Sequence, residues 1–473
     1  MLKRVDSEAL LRQPVSVLPE FLRRLAYADP LSFPILLDSA TVGPLSRYSV
    51  LAAFPQGALW QDAQGALHAS GQVKKAGAGG FLQALEVAWR AEHHDESLGD
   101  SAEPLPFRGG WMVYLGYELA SEIEPRLALP ARTQFDHTAP AAFALRIPAG
   151  LIYDHAKSQA WMFAERGDGW LPRLASALAR LPSELTGDQA VSVHVAEEAP
   201  GQFRSRVLAA LDYIRAGDIY QANLSRPWRG QLADDQTSGS AAPRLYERLR
   251  AANPAPFGAL VQFRDWRLLS SSPERLVRVN GARVETRPIA GTRPRSGVDG
   301  RHAREVASLI AHPKERAEHV MLIDLERNDL GRICRAGTVR ADEFMAIESY
   351  AHVHHIVSNV CGELLPHLAP TDVLRAVFPG GTITGCPKFR CMQIIAELEA
   401  EARQAYTGAL GFINHDGSMD FNILIRSLTL HGQQVEFRTG AGIVADSEWQ
   451  RELAETRAKA RGLLRGLSAG AGT

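Results

Sequence analysis

A chain of 473 residues is longer than one ordinary hydrophobic core requires, so two domains or one large composite one are expected. A formal charge of -1 gives no electrostatic case for nucleic acid or an anionic membrane surface, and no long uncharged apolar span occurs. The four cysteines, Cys334, Cys361, Cys386 and Cys391, lack C-x-x-C spacing, which argues against a zinc site or a disulfide framework. That usage suits a reducing cytoplasm, and the opening M-L-K-R-V-D-S-E-A-L has no apolar targeting core, so a cytoplasmic location is expected.

In chain order, residues 31–54 read as two short strands around a turn, with Ile35-Leu36-Leu37 on one side of the Gly43-Pro44 break and Tyr48-Ser49-Val50-Leu51 on the other. Residues 91–106 read as a polar loop, and residues 107–118, rich in glycine and aromatics, as a buried strand with close backbone contacts. A polar linker is expected over residues 181–200, placing a boundary between a region 1–195 and a region 196–473. Phe203, Val207, Leu211 and Ile214 mark a helix that stops at Gly217, and residues 218–225 read as a strand. Strands follow at 257–263, 267–272, 275–279 and 282–287. Helices follow near 301–311, 313–328, 371–377, 387–402 and 447–467. Strands in clusters with clustered helices predict an α+β fold rather than repeated βαβ units.

Residues 378–390 read F-P-G-G-T-I-T-G-C-P-K-F-R, a glycine loop feeding a helix that opens at Pro387. Such a loop suits either an anion at the helix N-terminus or a tight turn that needs small residues. A nucleotide P-loop is excluded, because Cys386 and Pro387 stand where Lys and Ser/Thr are required. In the last helix Ser447 is the expected N-cap, with Gln450 completing a capping box. Glu448, Glu452, Glu455 and Lys459 recur on one face, which read alone is a solvated face with a Glu455–Lys459 pair.

The loop resembles the P-G-G-S-I-T-G-x-P-K signature of the chorismate-utilising enzymes, which include aminodeoxychorismate, anthranilate, isochorismate and salicylate synthases. The resemblance is strong from about residue 201 to 467 and weaker before. It implies two stacked antiparallel β-sheets flanked by helices, with residues 196–473 as the chorismate-binding catalytic domain and residues 1–195 packed on it. It also implies roles for particular residues. Glu318 in K-E-R-A-E-H and Glu455 and Glu452 in E-L-A-E-T-R-A-K match the carboxylates that serve Mg²⁺, an ion that keeps water and substrate oxygens in its shell. Lys459 matches a lysine that serves a substrate carboxylate. Glu274 in S-P-E-R matches the general acid that protonates the departing C4 hydroxyl, a role that needs a raised pKa. Gln221 stands where isochorismate-forming relatives carry a water-activating lysine, and a neutral amide there favours ammonia as the nucleophile. Arg426, Tyr406 and the Gly440-Ala441-Gly442 backbone match the ring-carboxylate site, Thr384 belongs to the signature, and His355 matches an active-site histidine.

Two branches of the family compete. Ala290, sixteen positions after Glu274, matches the anthranilate synthases, whereas the best-known aminodeoxychorismate synthases have lysine there. The Q-A-N-L, F-P-G-G-T-I-T-G, V-H-H and M-D-F-N-I-L-I-R segments lean the other way, toward amination at C4. In anthranilate synthases segments similar to those holding Leu37, Ser39 and Arg47 line a tryptophan pocket. Here the adjoining 253–257 loop with Pro254 lacks that pocket's Tyr-Met pair. Read alone, these residues form an ordinary core hairpin. None of the cysteines lies in the G-x-C-x-G elbow of a glutaminase, so ammonia is expected from a separate glutamine amidotransferase subunit.

Overall fold

The computed structural model describes residues 2–4, 18–41, 43, 45–74, 79–93, 105–130, 139–165, 169–181, 191–294, 313–349 and 353–468. The helix expected near 301–311 lies outside them, as do most of the 91–106 loop and residues 182–190 of the expected linker.

The architecture is α+β, built on two antiparallel sheets. The first begins at Leu2–Arg4 and Gln159–Ala164. It runs through Ala149–Asp154, Tyr48–Ala53, Ile35–Asp38, Phe257–Phe263, Trp266–Ser272, Ser427–His431, Gln434–Ile443 and Gln221–Leu232 to Val193–Glu197. The second runs from Ile289–Pro294 through Val353–Glu363, Arg283–Arg287, Arg275–Asn280, Met419–Ile423, Ala409–Asn414, Gly110–Leu115, Ala142–Ile147 and Gly57–Gln61 to Leu67–Gly71. Gly110–Leu115 and Ala142–Ile147 are buried at every position, which is why they read as continuous apolar runs instead of alternating ones.

The sheets face each other across a shared aromatic core. Phe143 of the second sheet stacks on Phe263 of the first, with ring centroids 4.5 Å apart and planes at 12°, and Tyr114 meets Trp266 in the same layer. Helices Phe81–Glu92, Pro313–Gly331 and Pro370–Val377 cover the outer face of the second sheet. Helices Leu18–Ala28, Ser238–Ala252 and Trp449–Leu467 cover that of the first.

Strands from either side of residue 195 pair within both sheets, as at Leu37 opposite Ala259 and Leu115 opposite Ala409. Part of the segment expected to be a polar linker is a strand, because Val193–Glu197 completes the sheet edge beside Trp228–Leu232. Two further expectations need correction. The strand read at 218–225 begins at Gln221 and continues to Leu232, since the sheet extends it past its apolar start. The N-cap position of the last helix is Glu448, not Ser447, and the Glu448 side chain makes no capping hydrogen bond. The Ser447 hydroxyl instead accepts a hydrogen bond from the Val444 amide at 3.1 Å, stabilising the turn before the helix.

Candidate active site

The site is built where strand Gln221–Leu232 pairs with Gln434–Ile443, placing Asn223 opposite Gly442 and Ser225 opposite Gly440. Glycine is needed at both positions because side chains close over the backbone. A Cβ on Gly440 would lie 2.5 Å from the Tyr406 hydroxyl and 2.6 Å from Asn223 Oδ1. One on Gly442 would lie 2.4 Å from Gln221 Nε2.

The glycine loop closes one side. Gly381–Ile383 forms a single 3-10 turn, and Gly385–Cys386 pairs with Gln221–Ala222. Gly385 has φ +139°, and a Cβ there would meet the Gln221 carbonyl at 2.1 Å. Close approach to strand Gln221–Leu232 thus accounts for this glycine. Thr384 bonds to the loop itself, its hydroxyl donating to the Gly380 carbonyl at 3.0 Å while its own carbonyl accepts from the Asn223 amide at 2.9 Å.

Beneath the loop lies an ion cluster that sequence reasoning missed. The Glu399, Arg403 and Arg438 side chains are at most 2% exposed and mutually paired. Arg403 donates to the carbonyls of Ile383 and Asn223, at 3.1 and 2.6 Å, tying loop to strand. Glu399 accepts from the Ser225 amide at 2.7 Å. The i,i+4 spacing of Glu399 and Arg403 was visible in the chain, but their burial was not.

Of the residues singled out from the sequence, Glu274 is buried, and burial pushes its carboxyl up to about 7. The Thr382 hydroxyl, the Ile289 amide at 3.5 Å, Arg426 and Lys459 all act in the opposite direction. Arg426 occupies a left-handed backbone position, φ 51°, in the bend between strands Met419–Ile423 and Ser427–His431. Its half-buried guanidinium faces Glu274 and makes no hydrogen bond or ion pair among the described residues. Desolvation lowers its pKa. That is the state of a cation awaiting an anionic ligand.

Glu318 and Gln221 meet on the next side of the site, where Gln221 Nε2 donates to Glu318 Oε1 at 2.9 Å. Gln221 Oε1 and Asn223 Oδ1 are buried acceptors without a hydrogen-bond partner among the described residues. From the last helix, Lys459 pairs with Glu455 at 2.8 Å and donates to the Gly440 carbonyl at 3.0 Å. Glu452 is buried one turn earlier, so this face is not simply a solvated one. Glu318 and the Glu455–Lys459 pair therefore bracket the Gly440–Gly442 backbone. Among the described residues no three His, Cys, Asp or Glu side chains converge as a closed metal cage. Hard carboxylates on two sides of an open site suit a Mg²⁺ ion that takes its remaining oxygens from substrate and water.

His355 is buried in strand Val353–Glu363, in register with Thr292 on one side and Glu348 on the other. Ala290 lies in strand Ile289–Pro294 opposite Ile356, and its side chain is outside the described residues. The structure also brings Leu37, Ser39, Arg47 and the 253–257 loop together, with Asn253 bonded to Ser271 on the strand that leads to Glu274. Ser39 is fully engaged there, its hydroxyl donating to the Tyr48 carbonyl at 2.8 Å and also reaching the Pro256 carbonyl at 3.1 Å. Arg47 pairs with buried Asp154 at 2.8 Å.

The sequence profile of the chorismate binding enzyme family matches residues 53–465. The "Anthranilate synthase component I-like protein" of Synechocystis sp. is 38% identical over 426 residues, covering 89% of this chain and 83% of that protein. "Aminodeoxychorismate synthase component 1" of Bacillus subtilis is 39% identical over 376 residues, covering 76% of this chain and 77% of its own. Among solved structures, anthranilate synthase component I from Streptococcus pneumoniae superposes with a TM-score of 0.74 at 31% identity, covering 89% of this chain and 93% of that one. The menaquinone-specific isochorismate synthase of Escherichia coli shares the fold, with a TM-score of 0.71 at 16% identity over 99% and 94% of the two chains.

Proposed function

Because this chain belongs to the chorismate binding enzyme family, we propose that it aminates chorismate at C4, giving 4-amino-4-deoxychorismate, a precursor of p-aminobenzoate and folate. The observation that carries the reading is Glu274, a buried carboxyl kept protonated near neutrality beside the unengaged guanidinium of Arg426. Departure of a hydroxyl needs a proton, and a carboxylic acid with a pKa near the working pH is suited to give it.

In this reading Arg426, with the Gly440–Gly442 backbone and Tyr406, receives the ring carboxylate, and Lys459 receives the second carboxylate. Thr384 and His355 shape the cavity around the ring. Glu318, Glu455 and Glu452 would hold Mg²⁺, whose charge neutralises a substrate carboxylate. Gln221 is pinned by Glu318 and has no titratable group to deprotonate water, so the nucleophile is ammonia, supplied by a glutamine amidotransferase subunit.

Amination at C2, yielding anthranilate, is the second reading, and Ala290 is the residue that favours it. Relatives of both kinds occur at similar identity. Incubating the purified chain with chorismate, Mg²⁺ and ammonium salt, then identifying the product by mass and fluorescence, separates the two. Aminodeoxychorismate is expected, and anthranilate as the main product would replace this reading by the second.

A further inference from the structure

A second buried acid that the chemistry above does not use lies within electrostatic reach of Glu274. Glu326, on helix Pro313–Gly331, is 5% exposed. Its carboxyl lies against the glycine loop, where a Cβ on Gly381 would stand 3.2 Å from Glu326 Oε1. The next residue, Thr382, is close enough to Glu274 for its hydroxyl to lower that carboxyl's pKa, and Thr286 acts on Glu326 in the same way. Neither hydroxyl completes a hydrogen bond with any described residue.

One turn along the helix, Asp329 pairs with Lys388 of the signature. These two line a cavity of about 180 Å³ with Arg332, Phe378, Phe389 and Met392, a lining that includes neither Arg426 nor Lys459. A space of that size with five charged groups in its wall, Glu124 and Arg375 among them, admits water. The groups facing Glu326 are thus Asp329 from its own helix, Lys388 from the loop helix, Thr286 from strand Arg283–Arg287, and Glu274 across the loop. Burial and the Asp329 charge hold Glu326 in its protonated form above the usual carboxylate range.

We propose that Glu326 is a proton store that recharges Glu274 from the rear of the site, across the Gly381–Thr382 turn, and is itself refilled from the water cavity at Asp329 and Lys388. The inference rests on Glu274 acting as the acid. On the substrate side, Arg426 and Lys459 repel an incoming proton and favour ionised Glu274. At the rear stands a neutral acid. The balance closes over a turnover. Glu274 gives its proton to the leaving hydroxyl, which departs as water as ammonia bonds to the ring. Glu274 regains a proton from Glu326, which takes one from the cavity. Ammonia plus the relayed proton equals one ammonium ion consumed. Glu326 touches no reacting atom and acts through Glu274.

The test compares wild type with Glu326→Gln and Glu326→Asp at fixed free ammonia. It reads kcat, KM for chorismate, the pH profile of kcat, the solvent deuterium isotope effect and Tm. For Glu326→Gln we expect kcat to fall on the order of tenfold, less than loss of the acid itself, with KM unchanged and a larger isotope effect. The alkaline limb of kcat should move to lower pH, because the amide has no proton with which to resupply Glu274 as the pH rises. Tm should not fall, and Glu326→Asp should recover part of kcat. A wild-type pH profile and isotope effect in Glu326→Gln, whether or not Tm changes, overturns the relay while leaving the reading of Glu274 intact. A wild-type chain that does not consume chorismate removes both.

Discussion

At the residue scale, holding the Glu274 carboxyl buried and protonated costs stability. Its folded pKa of about 7 lies above the ordinary glutamate value of 4.5. Below the lower value both folded and unfolded states are protonated and nothing is lost. As pH rises through the interval the unfolded chain ionises first, so stability falls, and above about 7 the penalty stays constant. At about 1.4 kcal/mol per pKa unit, the loss amounts to a few kcal/mol. Glu274→Gln should therefore melt higher than wild type at pH 8 and equally at pH 4.5, while kcat falls by about two to four orders of magnitude. Thermal melts at the two pH values with matched kinetics decide it, and equal melting at both would mean that the carboxyl is not held protonated. The metal prediction is separate. Glu318→Gln should raise the Mg²⁺ concentration needed for half-maximal rate and weaken chorismate binding, since the ion bridges protein and substrate. Wild-type activity that survives excess chelator would refute it. None of this energetics was legible from S-P-E-R as a string. The motif supplied the residue, but its burial required strands Trp266–Ser272 and Arg275–Asn280 to sit in different sheets.

At the element scale, the glycine loop shows where sequence reasoning reaches and where it stops. Three glycines before Pro387 fit a tight turn or an anion site, and the structure shows the backbone requirement directly. The left-handed Gly385 and its contact with the Gln221 carbonyl mean that any side chain must push Gly385–Cys386 away from Gln221–Ala222. Gly385→Ala should cost roughly 2–4 kcal/mol from strained φ and overpacking together. Because Gln221 sits on the displaced strand, kcat/KM should fall with Tm, whereas Gly432→Ala, in an open turn at φ 57°, should lower Tm modestly and spare kinetics. An unchanged kcat/KM in Gly385→Ala would uncouple the loop from the site. The last helix carried the plainer signal. Its Glu455–Lys459 pair formed as spaced, but the apparent Ser447 cap did not, because the hydroxyl found a nearer amide at Val444.

At the scale of the whole molecule, residues 1–195 supply strands to both sheets, so the linker-like composition before residue 200 says little about how the chain is divided. Long-range pairing of this kind has no local signature, which is why the strands were readable one by one and their order was not. The same scale bears on the proposed source of ammonia. Hydrolysing glutamine needs a thiolate beside a base. Cys334, Cys361 and Cys391 are buried, and Cys386 is half-buried. Burial raises the thiol pKa of all four, to about 11 for Cys334 and about 12 for Cys391. Cys391 is further committed to the Gln221 carbonyl, donating at 3.0 Å. Thiols raised in this way are poor nucleophiles at neutral pH. The purified chain should thus turn over chorismate with ammonium salts, faster at alkaline pH where more of the ammonium is free ammonia, and be silent with glutamine. Adding the amidotransferase subunit should confer glutamine-dependent turnover that survives at neutral pH. Substituting each cysteine by serine in the single chain should leave the ammonium reaction in place. Glutamine-dependent product from the single chain, abolished by one of those serine substitutions, would reveal a glutaminase centre in this fold and remove the need for a partner.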